Sequence, residues 1–226
     1  MKVSIIIAAY GQEEYLADAI DSAIHQTVPC EVIVVNDGSP DHTKEIAEAY
    51  RDAWGIKVIH QVNKGLASAR NTGIMNAAGD VILPLDSDDI LYDTCVEKML
   101  KVFEETDADI VAPSMKCFGE SEETVIIMSE PKIEDFRISN RIPYASAIKK
   151  EALLECGGYQ PRMVFGYEDY ALWFDLLSRG KKIVGIQEPL LLYRTKERSM
   201  WKDAIKGHHK ELMEQIYKDY PTVWPK

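Results

Sequence analysis

The sequence has few cysteines, and they stand far from one another. Its four cysteines, Cys30, Cys95, Cys117 and Cys156, form no Cys-Xaa-Xaa-Cys pair. That spacing argues against a zinc site built on paired cysteines and against a small disulfide-bonded scaffold. We therefore expect reduced thiols and a cytoplasmic protein.

The sequence also lacks a hydrophobic run long enough to cross a bilayer. Its first apolar stretch, Val3 to Ala9, is far shorter than a membrane-spanning helix, and acidic residues follow soon after. Neither a signal peptide nor a transmembrane helix is expected. The last predicted helix leaves open a peripheral contact with the inner face of a membrane, or with another copy in a homo-oligomer, through Ile205, Met213, Tyr217 and Trp224. Packing on its own domain is the favoured use of these residues.

Positive charge is scarce relative to negative charge. The 226 residues include 26 Lys and Arg against 37 Asp and Glu, a formal net charge of −11. This balance argues against a general nucleic-acid-binding surface, which depends on neutralising phosphates. The hydrophobic fraction of 46% and the charged fraction of 28% are those of an ordinary globular protein.

Apolar strands and amphipathic helices alternate through the first half of the chain. The segments 3–9, 31–35, 56–60, 81–85 and 110–112 are predicted strands, and helices are predicted from 15 to about 24, from Ser39-Pro40 to about 50, over 67–77 and over 96–103. The second half predicts strands at 124–128, 182–186 and 190–193, and helices near 146–155, 168–178 and 205–216. The alternation predicts an α/β fold in which a Rossmann-like, mainly parallel sheet is flanked by helices.

Polar side chains follow several of the predicted strands at once. Asp86, Asp88 and Asp89 end the fourth strand, and Tyr10, Asp37 and Asn63 follow the first three. Ligands of such sheets bind beyond the carboxyl ends of the strands, so these residues are expected to converge on one crevice. Mg²⁺ and Mn²⁺ take carboxylate oxygens together with phosphates and waters. Taken alone, the acidic turn favours a solvated loop with a helix cap over a cation site, since short acidic turns are common.

The ordered set of motifs resembles the family 2 glycosyltransferases, inverting enzymes of the GT-A fold that use nucleotide-sugar donors. The matching pieces, in order along the chain, are Val3 to Tyr10, Val34-Val35-Asn36-Asp37-Gly38-Ser39, Asn63-Lys64-Gly65, Ala69-Arg70-Asn71, Gly79-Asp80, Asp86-Ser87-Asp88-Asp89, Gly157-Gly158-Tyr159 and Gly166-Tyr167-Glu168-Asp169. The resemblance covers nearly the whole chain. It implies one glycosyltransferase domain, 1–226, with a nucleotide-sugar-binding half at about 1–113 and an acceptor-binding half at about 114–226 that ends in the last helix.

The resemblance also assigns roles on the donor side. It implies that a divalent cation, Mn²⁺ or Mg²⁺, is held by Asp88 with Asp86, and that the nucleotide-sugar is bound by Ala9, Tyr10, Asp37, Gly65, Arg70, Asp86 and Ser87. Within that set, Asp37 would recognise a uracil-like base. The bland alternatives are a helix cap for Asp37 and a solvated helical arginine for Arg70.

On the acceptor side, the resemblance implies that Asp169 is the general base and that Glu168 supports the acceptor. Both carboxylates also suit the N-terminus of the helix that follows, whatever their role. Trp173, one turn further on, is favoured as a core residue over a sugar-stacking one.

One position departs from the family pattern. Many relatives carry a histidine shortly after the Tyr-Arg that ends the last strand, but here Tyr193-Arg194 leads to Thr195 and Lys196. Lys196 or Arg198 is a candidate to contact the diphosphate instead, with a mobile charged loop as the alternative. His208 and His209 are expected to serve the surface or packing rather than a metal.

The expected activity is transfer of a sugar from a nucleotide-sugar, of the UDP class, to a carbohydrate or lipid-linked acceptor in surface glycan synthesis. A sugar nucleotidyltransferase is disfavoured, because the segment after the first strand, Tyr10 to Glu14, is acidic and carries no phosphate-binding loop. A nucleotide-binding domain with a degenerate site is the alternative that is not an enzyme.

Overall fold

The computed structural model of the chain describes residues 1–197 and 200–221. Two residues weighed above, Arg198 and Trp224, lie outside this part of the chain. Within it, no helix is both long enough and apolar enough to cross a membrane.

Nine strands in the described residues form one sheet: β1 (Val3–Ala9), β2 (Cys30–Asn36), β3 (Lys57–His60), β4 (Val81–Asp86), β5 (Ile90–Leu91), β6 (Ile110–Gly119), β7 (Thr124–Val125), β8 (Ala147–Lys149) and β9 (Ile183–Thr195). Their spatial order is β3-β2-β1-β4-β8-β6-β9-β5, with β7 paired to β6. Strands β1 to β4 are mutually parallel, and β9 runs parallel to β6. The short β8 is antiparallel to both of its neighbours. The predicted mixed, mainly parallel sheet is therefore confirmed.

Helices cover both faces of the sheet. They are α1 (Leu16–Ile24), α2 (Thr43–Trp54), α3 (Leu66–Asn76), α4 (Cys95–Glu105), α5 (Lys150–Glu155), α6 (Glu168–Ser178), α7 (Met200–Asp203) and α8 (His209–Asp219). A π-helical stretch, Ala204–His208, joins the last two, and a single 3₁₀ turn lies at Asp135–Arg137.

The core lies in two layers because alternate residues of the central strands point to opposite faces. Ile6 of β1 belongs to the layer that includes α3 and α6, whereas Ile5 and Ile7 belong to the layer that includes α1 and α4. A strand buried on both faces must be apolar throughout, which explains why β1 and β4 carry almost no polar residues.

Helix α3 packs very closely on β1. A Cβ at Gly73 would lie 2.3 Å from Cγ2 of Ile6, so only glycine allows this approach. The close packing fixes the N-terminal half of α3, which carries Arg70, against the strand whose end opens into the crevice.

Several predicted boundaries are wrong. Helix α2 begins at Thr43 rather than at Ser39-Pro40, because the Asn36 side chain accepts a hydrogen bond from the Ser39 N–H at 3.0 Å and holds a turn there. The predicted helix at 146–155 starts as strand β8, whose Ile148 is inserted between β4 and β6. The predicted strand 124–128 is paired only over Thr124–Val125.

A further error joins two predicted strands. The segments 182–186 and 190–193 form the continuous strand β9, which crosses Pro189 by register shifts against β6 around Ser114. Its partner β6 is correspondingly longer than the predicted 110–112, running to Gly119. A bulge of this kind lets the strand continue past a proline, which has no backbone N–H to donate to the neighbouring strand.

Candidate active site

The carboxyl ends of β1, β2 and β4 lie side by side, at the edge of the sheet where the crevice is predicted. The register pairs Ala9 with Asn36 and Ala8 with Asp86, so the residues after these strands are neighbours. Ala9 is buried, Tyr10 is half exposed at 50%, and the backbone N–H of Asp37 donates to the Ala9 carbonyl at 2.9 Å. Ser87 is buried within the acidic turn.

Asp37 organises the loop that leads into α3. Its carboxylate accepts hydrogen bonds from Gln61 Nε2 at 2.7 Å, from the Lys64 N–H at 2.9 Å and from the Gly65 N–H at 2.8 Å. Gly65 has a φ of +84°, a conformation that favours glycine, and directly precedes the helix. Asp37 therefore fixes the 61–65 loop at the mouth of the predicted crevice. It does not cap α2, so the helix-cap alternative is wrong.

Arg70 is the centre of the site. Its guanidinium donates to Asp86 Oδ1 and to Glu168 Oε1, each at 2.6 Å, and the residue is only 1% exposed. The rings of Tyr144 and Tyr159 lie on it at 5.2 and 5.1 Å. Buried charges require such compensation. The alternative of a solvated helical arginine is wrong, since the guanidinium is buried and links the Asp86 and Glu168 carboxylates.

The Gly-Gly-Tyr motif places one of these rings. The Asn71 side chain accepts a hydrogen bond from the Tyr159 N–H and donates one to the Tyr159 carbonyl, both at 2.8 Å. A Cβ at Gly158, where φ is +78°, would lie 2.5 Å from Asn71 Oδ1. Glycine before Tyr159 is thus required for the asparagine to hold the backbone that carries the ring.

The acidic turn divides its carboxylates between two tasks. Asp89 is buried and structural: it accepts from the Tyr144 hydroxyl at 2.6 Å and from the Arg194 N–H at 2.6 Å. The Tyr144 hydroxyl in turn accepts from the Asp86 N–H at 3.0 Å. Burial raises the pKa of Asp89 well above its usual range and raises the pKa of Asp86 to about 6, with Arg70 opposing the latter shift.

The residues of this turn suit a divalent cation. One carboxylate oxygen each from Asp86, Asp88 and Asp89 lie within 4.8 Å of one another. Both carboxylate oxygens of Asp89 accept hydrogen bonds, from Tyr144 and Arg194. Asp86 contacts Arg70 through Oδ1 alone, and Asp88 contacts Lys196 through Oδ2 alone, so these two are the better placed to hold an ion. One or two carboxylates completed by phosphates and waters is the usual arrangement for Mg²⁺.

Lys196 reaches this turn. Its Nζ lies 2.6 Å from Asp88 Oδ2 and 4.4 Å from the centre of the Tyr15 ring. The neighbouring Arg194 donates through Nε to the Asp88 carbonyl at 2.8 Å. The departure from the family pattern thus places a lysine, not a histidine, on Asp88.

Asp169 lies in the first turn of α6, next to Glu168. It accepts from Asn140 Nδ2 at 2.8 Å and from the Tyr170 N–H at 2.7 Å. Burial, together with the adjacent Glu168 carboxylate, raises the pKa of Asp169 to about 7. A carboxylate that titrates near neutrality and is half-buried can take a proton at physiological pH.

The C-terminal helices pack against the turn before α6. Tyr167 has a φ of +63°, and its hydroxyl lies 2.9 Å from His209 Nδ1, while the Phe165 and His208 rings stack at 3.8 Å. Both histidines therefore serve packing contacts, as expected. Trp173 is fully buried in the core, as expected too.

Sequence reasoning missed Tyr144, Asn140 and the role of Asn71. The first two lie in an irregular segment with no periodic pattern, and nothing local marks them. Asn71 follows Arg70 within the Ala69-Arg70-Asn71 motif, and that position was the available signal.

The comparisons with known proteins agree with this geometry. The family model described as Glycosyl transferase family 2 matches residues 4–165. The chain belongs to this family. It is 30% identical over 221 residues to the glycosyltransferase GlyG of Streptococcus pneumoniae, covering 88% of this chain and 72% of GlyG. Other curated relatives are longer: the matches span 32% of one from Bacillus subtilis and 18% of another from S. pneumoniae.

Solved structures share the fold of this family 2 glycosyltransferase. Residues 1–349 of TarS from S. aureus, crystallised with UDP-GlcNAc, superpose with a TM-score of 0.80 at 22% identity, covering 96% of this chain and 65% of the TarS chain. The mannosyltransferase PcManGT of Pyrobaculum calidifontis, in complex with GDP-Man and Mn²⁺, gives 0.74 at 16% identity, covering all of this chain and 65% of its own. The expected GT-A fold and glycosyltransferase assignment are confirmed.

Proposed function

We propose that this glycosyltransferase is an inverting enzyme that moves a sugar from a UDP-sugar to an acceptor hydroxyl. The observation that carries the proposal is the buried Arg70, which holds the donor-side Asp86 and the acceptor-side Glu168 at 2.6 Å each. One cation thereby sets the spacing between the acidic turn and the carboxylate beside the proposed base.

The donor diphosphate lies at the acidic turn in this proposal. A divalent cation, Mn²⁺ or Mg²⁺, held by Asp88 and Asp86 would offset the charge that builds on the diphosphate as it leaves. Asp37 and the loop that it fixes, with Ala9, Tyr10 and Gly65, bind the nucleoside. UDP is favoured because TarS, similar over 96% of this chain, was crystallised with UDP-GlcNAc.

Asp169 is the proposed general base. The acceptor oxygen attacks the anomeric carbon opposite the diphosphate, its proton passes to Asp169, and the bond to the diphosphate breaks with its electron pair on the leaving oxygen. A positioned base of this kind contributes about 10²- to 10⁴-fold to the rate. Glu168 orients the acceptor through its fixed contact with Arg70.

The acceptor is proposed to be a carbohydrate or lipid-linked glycan in surface polysaccharide synthesis, reached from the cytoplasmic side of the membrane. The half at about 1–113 would bind the donor, and the half at about 114–226 would bind the acceptor. The exposed Ile205 and Tyr217 support a peripheral contact with a membrane or a second copy, whereas Met213 packs in the core and has no part in it.

Calorimetric titration with UDP, GDP and dTDP, with and without Mn²⁺, tests the donor side. We expect UDP binding that requires Mn²⁺ and is lost in Asp88→Ala but kept in Asp52→Ala, a surface control of equal charge change. Release of UDP from its sugar should be lost in Asp169→Asn while UDP binding stays. Binding without release in the parent protein would favour a degenerate site.

A further inference from the structure

Lys196 places a positive charge on Asp88, one of the carboxylates proposed to hold the divalent cation. Its ammonium contacts Asp88 Oδ2 at 2.6 Å, and the Lys196 and Asp88 side chains are 26% and 23% exposed. A divalent cation at the same carboxylate would bring two cations onto one anion, and like charges at such distances repel strongly. Lys196 must therefore move away from Asp88 before a divalent cation can coordinate that carboxylate without repulsion from the ammonium.

The backbone that delivers Lys196 is fixed. The N–H of Arg194 donates to Asp89 Oδ1 at 2.6 Å, and the guanidinium lies between the rings of Tyr15 and Phe118 at 4.4 Å from each. The Lys196 carbonyl accepts from Lys202 Nζ at 2.5 Å. What can move is the four-carbon side chain of Lys196, which is flexible and ends in a compact charge.

A diphosphate offers the displaced ammonium a second anionic partner. Without nucleotide, cation binding must break the Lys196–Asp88 pair and leave the ammonium beside a divalent ion. With nucleotide, the ammonium exchanges one anion for another. Cation and nucleotide should therefore bind with positive coupling, and by linkage each strengthens the other by the same factor.

We propose that Lys196 is a built-in counter-cation that occupies Asp88 in the cation-free enzyme and transfers to the donor diphosphate when a divalent cation binds. The proposal rests on the proposed function for its second half only. Lys196 thereby makes cation binding depend on the nucleotide.

The test measures the Kd for Mn²⁺ by electron paramagnetic resonance of the free ion, with and without UDP. It compares the parent, Lys196→Met, Lys196→Arg and the control Lys101→Met, which removes an equal charge from a surface lysine that faces Glu105. In Lys196→Met the Kd for Mn²⁺ alone should fall about two- to tenfold, the range expected for losing one partly exposed ion pair and its repulsion. The Kd for UDP with Mn²⁺ should rise by a similar factor.

Lys101→Met and Lys196→Arg should keep the parent values for Mn²⁺ alone. Equal Mn²⁺ affinity in the parent and Lys196→Met, including no detectable binding by either, overturns the proposal, as does weaker binding in Lys196→Met. The arm with Mn²⁺ alone requires no nucleotide. It therefore decides the place of Lys196 even where UDP fails to bind and the proposed function is lost.

Discussion

Replacing Asn140 with alanine should shift the pH dependence of sugar transfer. The Asn140 amide donates to Asp169 Oδ2 at 2.8 Å and so favours the charged carboxylate. Asp169 has a pKa raised to about 7, chiefly by burial, and the proposed base acts when deprotonated. Activity should rise with pH through this value in the parent protein, and through a higher value in Asn140→Ala.

The size of the shift follows from the contact. A hydrogen bond to a charged group is worth about 1.5–3 kcal/mol, and roughly half of that is appropriate here because Asn140 is exposed. At 1.36 kcal/mol for each pKa unit, the acidic limb should move up by about 0.5 to 1 unit. At pH values well below the pKa of Asp169, kcat/KM of Asn140→Ala should be about three- to tenfold lower than that of the parent protein. At pH values well above that pKa, the two proteins should agree.

The assay is the initial rate of nucleoside diphosphate release from the donor selected by titration, between about pH 5.5 and 9. Asn76→Ala is the matched control, because that exposed amide donates to the Thr72 carbonyl on α3 rather than to a carboxylate. An acidic limb that stays in place or moves down in Asn140→Ala would refute the assignment of Asp169 as the base that Asn140 tunes.

Three further predictions concern the framework of the site. Arg70→Met should lower the free energy of unfolding, measured in urea, by about 3–5 kcal/mol, because Asp86 and Glu168 are left uncompensated. The folded-state pKa of Asp86 is already raised to about 6, so protonation of Asp86 favours the folded state. The loss of stability in the variant should therefore be smaller at low pH than at high pH. A deficit that is the same at both ends of the range would contradict this reading. Asp37→Ala should lower the thermal midpoint and weaken UDP binding by freeing the 61–65 loop, whereas Asp41→Ala, which removes contacts to the Glu13 and Thr43 N–H groups, should leave UDP binding intact. Gly73→Ala should destabilise the fold by about 1–3 kcal/mol despite the better helix propensity of alanine, and adding Ile6→Ala should recover part of the loss by removing Cγ2.

The sequence was sufficient for the central strands because each is buried on both faces and therefore apolar throughout. Strands β1 and β4 agree with their predicted bounds to within one residue. The errors fall where local pattern and tertiary pairing disagree. Three-residue β8 is too short to show a period, and Pro189 breaks the pattern of β9 although a bulge lets the strand continue.

The site residues that follow neighbouring strands could be predicted from the strand order. Those that tertiary packing brings to the site could not. Carboxylates after β2 and β4 had to meet at one edge of the sheet. The two tyrosines on Arg70, by contrast, come from the irregular segment before β8 and from a glycine turn. Their contacts depend on how distant segments fold over α3, and no local pattern encodes that.

The Arg70 bridge also ties the site to the order in which the chain is assembled. Arg70 and Glu168 are 98 residues apart in sequence. Closing a loop of this length lowers the entropy of the chain, and the contacts made in the folded protein must offset that loss. A nascent chain that has not yet reached α6 would bury a guanidinium with one carboxylate instead of two. The Arg70 bridge therefore becomes complete only when the second half of the chain has packed against the first.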